Sequence, residues 1–165
     1  MIEQEVKLRF ETHEAARQAV IAAGGRLVRS ERPQDDRFLD TADAHLLAAG
    51  SALRIRREPG VTTITFKGPV QSGPVKSREE IETTVADAAV TESLLAKLGY
   101  IERWRLLKHR EDYVIGEVRV FIDRTPAGVF VEIEGTIDTI AATAHALGRA
   151  PADYILDSYR TLYLK

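Results

Sequence analysis

The sequence predicts an α+β chain: a closed eight-stranded antiparallel β-barrel, or tunnel, with helices packed on its outside. Three observations carry this expectation. Segment after segment alternates apolar and charged residues at the two-residue period of a strand. Gly- and Pro-containing turns join many of these segments directly. A few helical stripes are inserted among them, and about eight strands joined in this way can close on themselves and remove exposed edges.

The first stretch sets the pattern. Ile2, Val6, Leu8 and Phe10 share one face with Gln4, while Glu3, Glu5, Lys7 and Arg9 share the other. Thr12 is placed to cap a helix with the stripe Ala15, Ala16, Ala19, Val20 and Ala23, stopped by Gly24-Gly25. A strand starts at Leu27 to Ser30, Pro33 is expected to interrupt it, and Gln34 to Thr41 resumes an extended segment. Asp35, Asp36 and Asp40 flank that segment and read as turn caps. Ala44 to Ala49 is a helical turn closed by Gly50.

Ala52 to Glu58 sets Leu53 and Ile55 against Arg54 and Arg56. Pro59-Gly60 turns the chain, and Val61 to Lys67 returns with Ile64 and Phe66 opposite Thr63, Thr65 and Lys67. Gly68 to Lys76 reads as a loop; it has Walker-type glycine spacing, but Pro74-Val75 stands where Lys-Ser/Thr is required, so a nucleotide P-loop is excluded. Arg78 to Val85 is the next strand, with Arg78, Glu80 and Glu82 on one face. Asp87 or Thr91 caps a helix through Leu94, Leu95 and Leu98 to Gly99. Trp104 to Glu111 carries Lys108 and Arg110 on one parity, and Val118 to Asp123 follows. Val129 to Glu134 sets Glu132 and Glu134 opposite its valines and Ile133. Thr139 to Leu147 is a further helix, and the tail from Ala152 to Lys165 reads as short helical pieces, the last capped by Ser158. No repeat, linker or low-complexity tract divides the chain, so one domain over residues 1–165 is expected.

Composition narrows the class of function. A chain of 165 residues can bury a real core. A net charge of −2 offers no argument for nucleic-acid or anionic-membrane binding. With no cysteine there is no disulfide, thiolate nucleophile or zinc–cysteine site, and His13, His45, His109 and His145 lack metal-ligand spacing. No apolar run approaches the roughly 20 residues of a membrane span, and the chain opens on a strand rather than a signal segment. The expectation is a soluble cytoplasmic protein, monomer or homodimer, acting on a small molecule.

The helical stripes need an apolar partner, so the helices are expected on the outer face and the charged strand faces inside. Burying unpaired ions costs several kcal/mol each, so such an interior must be wet and balanced. The inward parity lists Glu3, Glu5, Glu80, Glu82, Asp123, Glu132 and Glu134 against Lys7, Arg54, Arg56, Lys67, Arg78, Lys108 and Arg110. Structural ion pairing alone produces such a list. A ligand of mixed character produces it as well: clustered carboxylates suit a hard divalent ion, and arginine forks and lysine ammoniums suit phosphate oxygens. A site with both sets suits a metal-bound polyphosphate, whose three-phosphate form carries about four negative charges.

These residues resemble a known family. Glu3-Gln4-Glu5-Val6-Lys7 is similar to the Glu-x-Glu-x-Lys opening of the CYTH domain, the triphosphate tunnel metalloenzymes. The similarity continues through Leu53 to Arg56, Thr65 to Pro69, Ser77 to Glu82, Leu107 to Arg110 and Phe130 to Glu134, with the segments around Lys67, Arg78 and Glu132 most like the class IV adenylyl cyclase branch. The resemblance implies an eight-stranded tunnel and Mg²⁺ or Mn²⁺ served by Glu3, Glu5, Glu82, Asp123, Glu132 and Glu134. It implies that Lys7, Arg54, Arg56, Lys67, Arg78, Lys108 and Arg110 hold the triphosphate, with Lys108 either activating the attacking water or binding phosphate. Two departures follow: a tyrosine that often partners this lysine is Phe38, and the His-Phe pair that precedes the opening motif in family cyclases is replaced by Met1-Ile2. The implied activity is hydrolysis of tripolyphosphate, thiamine triphosphate or a nucleoside triphosphate. The alternatives are cyclisation of ATP and a non-catalytic polyphosphate-binding module.

Overall fold

The structure, a computed structural model, describes residues 1–164. In chain order the strands are β1 (Ile2–Phe10), β2 (Arg26–Asp40), β3 (Ala52–Glu58), β4 (Val61–Lys67), β5 (Lys76–Val85), β6 (Ile101–Ile115), β7 (Val118–Thr125) and β8 (Gly128–Glu134). The helices are α1 (His13–Ala22), α2 (His45–Ala48), α3 (Ala88–Lys97), α4 (Ile137–Ala146) and α5 (Tyr159–Leu164), with a 3₁₀ turn at Pro151–Asp153. The eight strands form a closed barrel in the order β1-β5-β4-β3-β2-β6-β7-β8. Packing divides the chain into two compact units: Met1–Ile2, Pro33–Gln71 and Arg78–Leu107 in one, Glu3–Arg32, Ser72–Ser77 and the chain from Lys108 in the other.

The second unit is built on β1, β8 and β7, paired antiparallel with Lys7 opposite Glu132 and Val120 opposite Ile133. Val6 and Leu8 of β1, Val120 and Ile122 of β7, and Val131 and Ile133 of β8 are essentially fully buried. They pack with Ala16 and Val20 of α1 and with Ile140 and Ala144 of α4. The helices therefore cover one face of these strands, and parity sends Glu5, Lys7, Asp123, Glu132 and Glu134 to the other. In a closed sheet that face is the inner one. Thr12 caps α1 by accepting from Ala15 N, and Thr136 with Thr139 forms a capping box on α4. Gly25 follows α1 so closely that a Cβ there would meet Val20 Cγ1 at 2.5 Å, which is why no larger residue fits.

The first unit is built on the β3–β4 hairpin and β5. Here Arg54 faces Thr65, Thr65 faces Glu82 and Lys67 faces Glu80, while Asp36 of β2 faces Arg56. Asp87 caps α3, but Val90, Leu94 and Leu98 of that helix stay exposed, so its apolar stripe finds no cover among the described residues.

Several expectations change. Pro33 does not interrupt the strand; β2 runs through it from Arg26 to Asp40. Pairing with β3 begins only at Asp35, so the missing proline N–H removes no bond from that ladder. β6 is 15 residues long and begins at Ile101. Lys76 opens β5 rather than ending a loop. Helix α4 starts before Thr139, at Ile137, because Thr136 supplies the cap. Ser158 caps the last helix through Thr161 N, as the tail pattern suggests; Lys165 lies outside the described residues.

Candidate metal and phosphate site

The register of β1 with β8 places Glu5 directly opposite Glu134, and Glu3 lies two residues earlier on the same face of β1. One carboxylate oxygen from each of Glu3, Glu5 and Glu134 lies within 4.8 Å of the other two. Burial, and next the charge of Glu3, pushes the Glu134 carboxyl up to about 8, although Arg119 pairs with it at 2.6 Å. Three half-buried carboxylates that repel one another, one held protonated, have the donor chemistry of a hard divalent cation. A divalent ion held by the three would take the place of the proton on Glu134.

Lysines adjoin this cluster. Glu5 Oε1 accepts from Lys7 Nζ at 2.9 Å and from Lys76 Nζ at 2.6 Å. Lys7 is 2% exposed and its Nζ also lies 3.2 Å from Glu132 Oε1. Burial alone would lower the lysine's pKa, but Glu5 and Glu132 reverse that and raise it. Arg110 is bonded to both Asp123 and Glu132. Burial opposes ionisation of Glu132, yet Arg110, Lys7, Lys108 and Lys76 hold it well below the usual carboxylate range.

Asp123, with no exposed surface, takes four donors. Arg110 Nε reaches Oδ1 at 2.6 Å; Arg110 Nη2 and Lys108 Nζ each reach Oδ2 at 2.6 Å; the Tyr159 hydroxyl reaches Oδ2 at 2.8 Å. Against its burial, Arg110 and then Lys108 keep its pKa below the ordinary value. Of the six carboxylates implied as metal ligands, Glu3, Glu5 and Glu134 converge as a trio. Glu132 and Asp123 stand as counter-ions to the cations.

The first unit has its own charged set. Arg54, 8% exposed, donates to Thr65 Oγ1 at 3.1 Å and to Glu82 Oε2 at 3.3 Å, and Thr65 donates to the same Glu82 oxygen. Burial and the neighbouring Arg56 charge lower the pKa of Arg54. Lys67 pairs with Glu80. Arg78 donates to the carbonyls of Gly68 and Lys67 at 2.8 and 3.1 Å and so clamps the start of the Gly/Pro-rich loop. Trp104 packs on Phe38 with centroids 5.0 Å apart, as a packing anchor does.

Asp36 is not a turn cap. It lies inside β2, 2% exposed, and accepts from Arg56 Nε at 2.6 Å and Arg56 Nη2 at 2.8 Å. Asp35 likewise pairs with Arg105. Asp40 does cap, accepting from the N–H groups of Thr41, Leu46 and Leu47. Three residues of the charged sets escaped the sequence reading. Asp36 shares its strand parity with Gln34 and Phe38, which was a usable signal once Pro33 is allowed in the strand. Lys76 stands two residues before Arg78 on the same parity. Tyr159 carries no local signal at all.

The CYTH domain model matches residues 1–158. A candidate adenylate cyclase from Methanocaldococcus jannaschii is 30% identical over 141 residues, 85% of this chain and 80% of its own length. A candidate adenylate cyclase from Vibrio parahaemolyticus superposes with a TM-score of 0.88 at 22% identity, covering 100% of this chain and 99% of its own. A candidate adenylyl cyclase from Hippeastrum with a dominant triphosphatase activity superposes with a TM-score of 0.73 at 20% identity, covering 98% of this chain and 95% of its own.

Proposed function

The chain belongs to the CYTH domain family, and from that premise we propose that it is a divalent-metal-dependent phosphohydrolase acting on a triphosphate-bearing small molecule. The observation that carries this reading is Glu5: one carboxylate stands both in the acidic trio with Glu3 and Glu134 and against the ammoniums of Lys7 and Lys76. Cation-binding and phosphate-binding chemistry thus meet at one side chain.

Glu3, Glu5 and Glu134 would hold Mg²⁺ or Mn²⁺, and the ion would supply charge neutralisation on phosphate oxygens. Lys7, Lys108 and Arg110 bind and orient the anion, with Glu132 and Asp123 holding these cations in place while the ligand is absent. Arg54, Arg56, Lys67 and Arg78 are assigned to the same triphosphate from family membership and sequence resemblance. Catalysis is then chiefly positioning and stabilisation of charge as water attacks the terminal phosphoryl group. The Lys108 ammonium, 2.6 Å from a buried carboxylate, favours a phosphate-binding role over that of a base. The same assignment treats residues 1–165 as a single CYTH domain.

A second reading is cyclisation of ATP, favoured by the name of the Methanocaldococcus relative. One experiment tests both: tripolyphosphate, thiamine triphosphate and ATP are supplied with Mg²⁺ or Mn²⁺ while orthophosphate, pyrophosphate and cyclic AMP are assayed together. Orthophosphate release supports hydrolysis. Cyclic AMP with pyrophosphate replaces that reading by cyclisation. Binding without turnover of any substrate leaves only a polyphosphate-binding module.

A further inference from the structure

The chain after α4 comes back to the charged residues of β1 and β7. The segment before α5 forms an isolated antiparallel bridge with β1: Ile155 N donates to Lys7 O at 2.9 Å, and Lys7 N donates to Ile155 O at 3.2 Å. The bridge therefore lands on the residue that carries a site ammonium. Four residues later the Tyr159 ring meets Phe130 edge-on, with centroids 5.4 Å apart. Lys7 Nζ lies 5.1 Å and Lys108 Nζ 4.9 Å from the centre of that ring. Its hydroxyl donates to Asp123 Oδ2, the oxygen that also receives Lys108 and Arg110.

An aromatic face attracts an ammonium electrostatically but leaves its charge intact, whereas a carboxylate neutralises it. A lysine side chain otherwise has large rotamer freedom to lose when a ligand orders it. One ring beside two site lysines lowers that loss for both. The phenol is suited to a fixed post: burial, then the Asp123 and Glu132 charges, raise its pKa well above the ordinary value, so it remains a donor.

We propose that Tyr159 is a positioning residue of the phosphate site: its hydroxyl, tied to Asp123, fixes a ring that holds the ammoniums of Lys7 and Lys108 ready for an anionic ligand. The role rests on the triphosphate reading above. A tyrosine that only anchored the tail would change stability and leave ligand affinity alone.

The test titrates the full chain, stripped of divalent ions with EDTA, with inorganic tripolyphosphate by calorimetry, alongside thermal melts. Tyr159→Leu removes ring and hydroxyl and is expected to weaken binding about tenfold, while Tyr159→Phe keeps the ring and recovers affinity to within about threefold of wild type. If Tyr159→Leu melts below the assay temperature, Tyr159→Met refills the volume without an aromatic face and takes its place. Wild-type affinity in a folded Leu or Met variant, with only the melting temperature lowered, overturns the positioning role and leaves the triphosphate reading standing. A wild-type chain that binds no tripolyphosphate either without divalent ions or with Mg²⁺ restored overturns both.

Discussion

Lys76 reaches Glu5 from 71 residues away in the chain, its Nζ 2.6 Å from Oε1. The contact ties the first residue of β5 to β1. The same Glu5 oxygen also accepts from Lys7, so one member of the acidic trio takes two ammoniums. Glu5→Gln keeps the shape and removes the charge. It is expected to lower metal-dependent turnover by about a hundredfold or more, since loss of a metal-site carboxylate removes affinity as well as charge. A steady-state assay at saturating Mg²⁺ checks this, with the melting curve as control. An unchanged rate removes Glu5 from the metal site.

Glu134 links the trio to pH. Its folded pKa is raised from an ordinary 4.5 to about 8. In the metal-free chain the folded state therefore holds a proton that the unfolded state has released between those values. The sign is that stability from this group is full below pH 4.5 and lost as pH rises through 8. Glu134→Gln carries no such proton, so the melting-temperature gap between variant and wild type is expected to widen in favour of the variant, by about 3 °C or more from pH 5 to pH 9. Added Mg²⁺ is expected to stabilise the wild type at pH 9 and not the variant. Parallel melting-temperature profiles sink the assignment.

Lys108 is expected to act through affinity. Lys108→Gln should raise KM for tripolyphosphate about tenfold, the scale of one lost charge-assisted contact, while kcat falls no more than about threefold. Collapse of kcat with KM preserved assigns Lys108 to the chemistry of water activation instead.

Asp36 holds Arg56 side-on through two bonds inside the sheet. Asp36→Asn removes a buried carboxylate charge that faces the guanidiniums of both Arg56 and Arg54 and is expected to cost about 3 kcal/mol of stability. Denaturant unfolding measures it, and a change below about 0.5 kcal/mol, the range of surface substitutions, refutes the buried-pair account.

Much of the architecture was legible because strand parity is local. The two faces of β1, β3 and β8 are written in alternate residues, and the caps at Thr12 and Asp87 precede their helices by one position. What was misread came from treating local punctuation as decisive. Pro33 looked like a break, so Asp36 looked like a turn residue. Both conclusions fail because a proline outside the β3 ladder removes no bond from it. α3 departs in the other direction: a helix with an apolar stripe was expected to be covered, yet Val90, Leu94 and Leu98 remain in solvent.

Alternation of residue types by itself determined which side chains share a face, and the ordered motifs determined the family. The tertiary structure decided which groups on that face meet. Glu5 stands opposite Glu134, Arg56 meets Asp36 at a separation of 20 residues, and Tyr159 meets Asp123 at a separation of 36. The physical reason is that parity is a property of one strand, whereas a contact requires the register between two strands. For β1 and β8 that register accompanies the packing of α1 and α4 on the same strands, and Tyr159 is brought in by the bridge of Lys7 with Ile155.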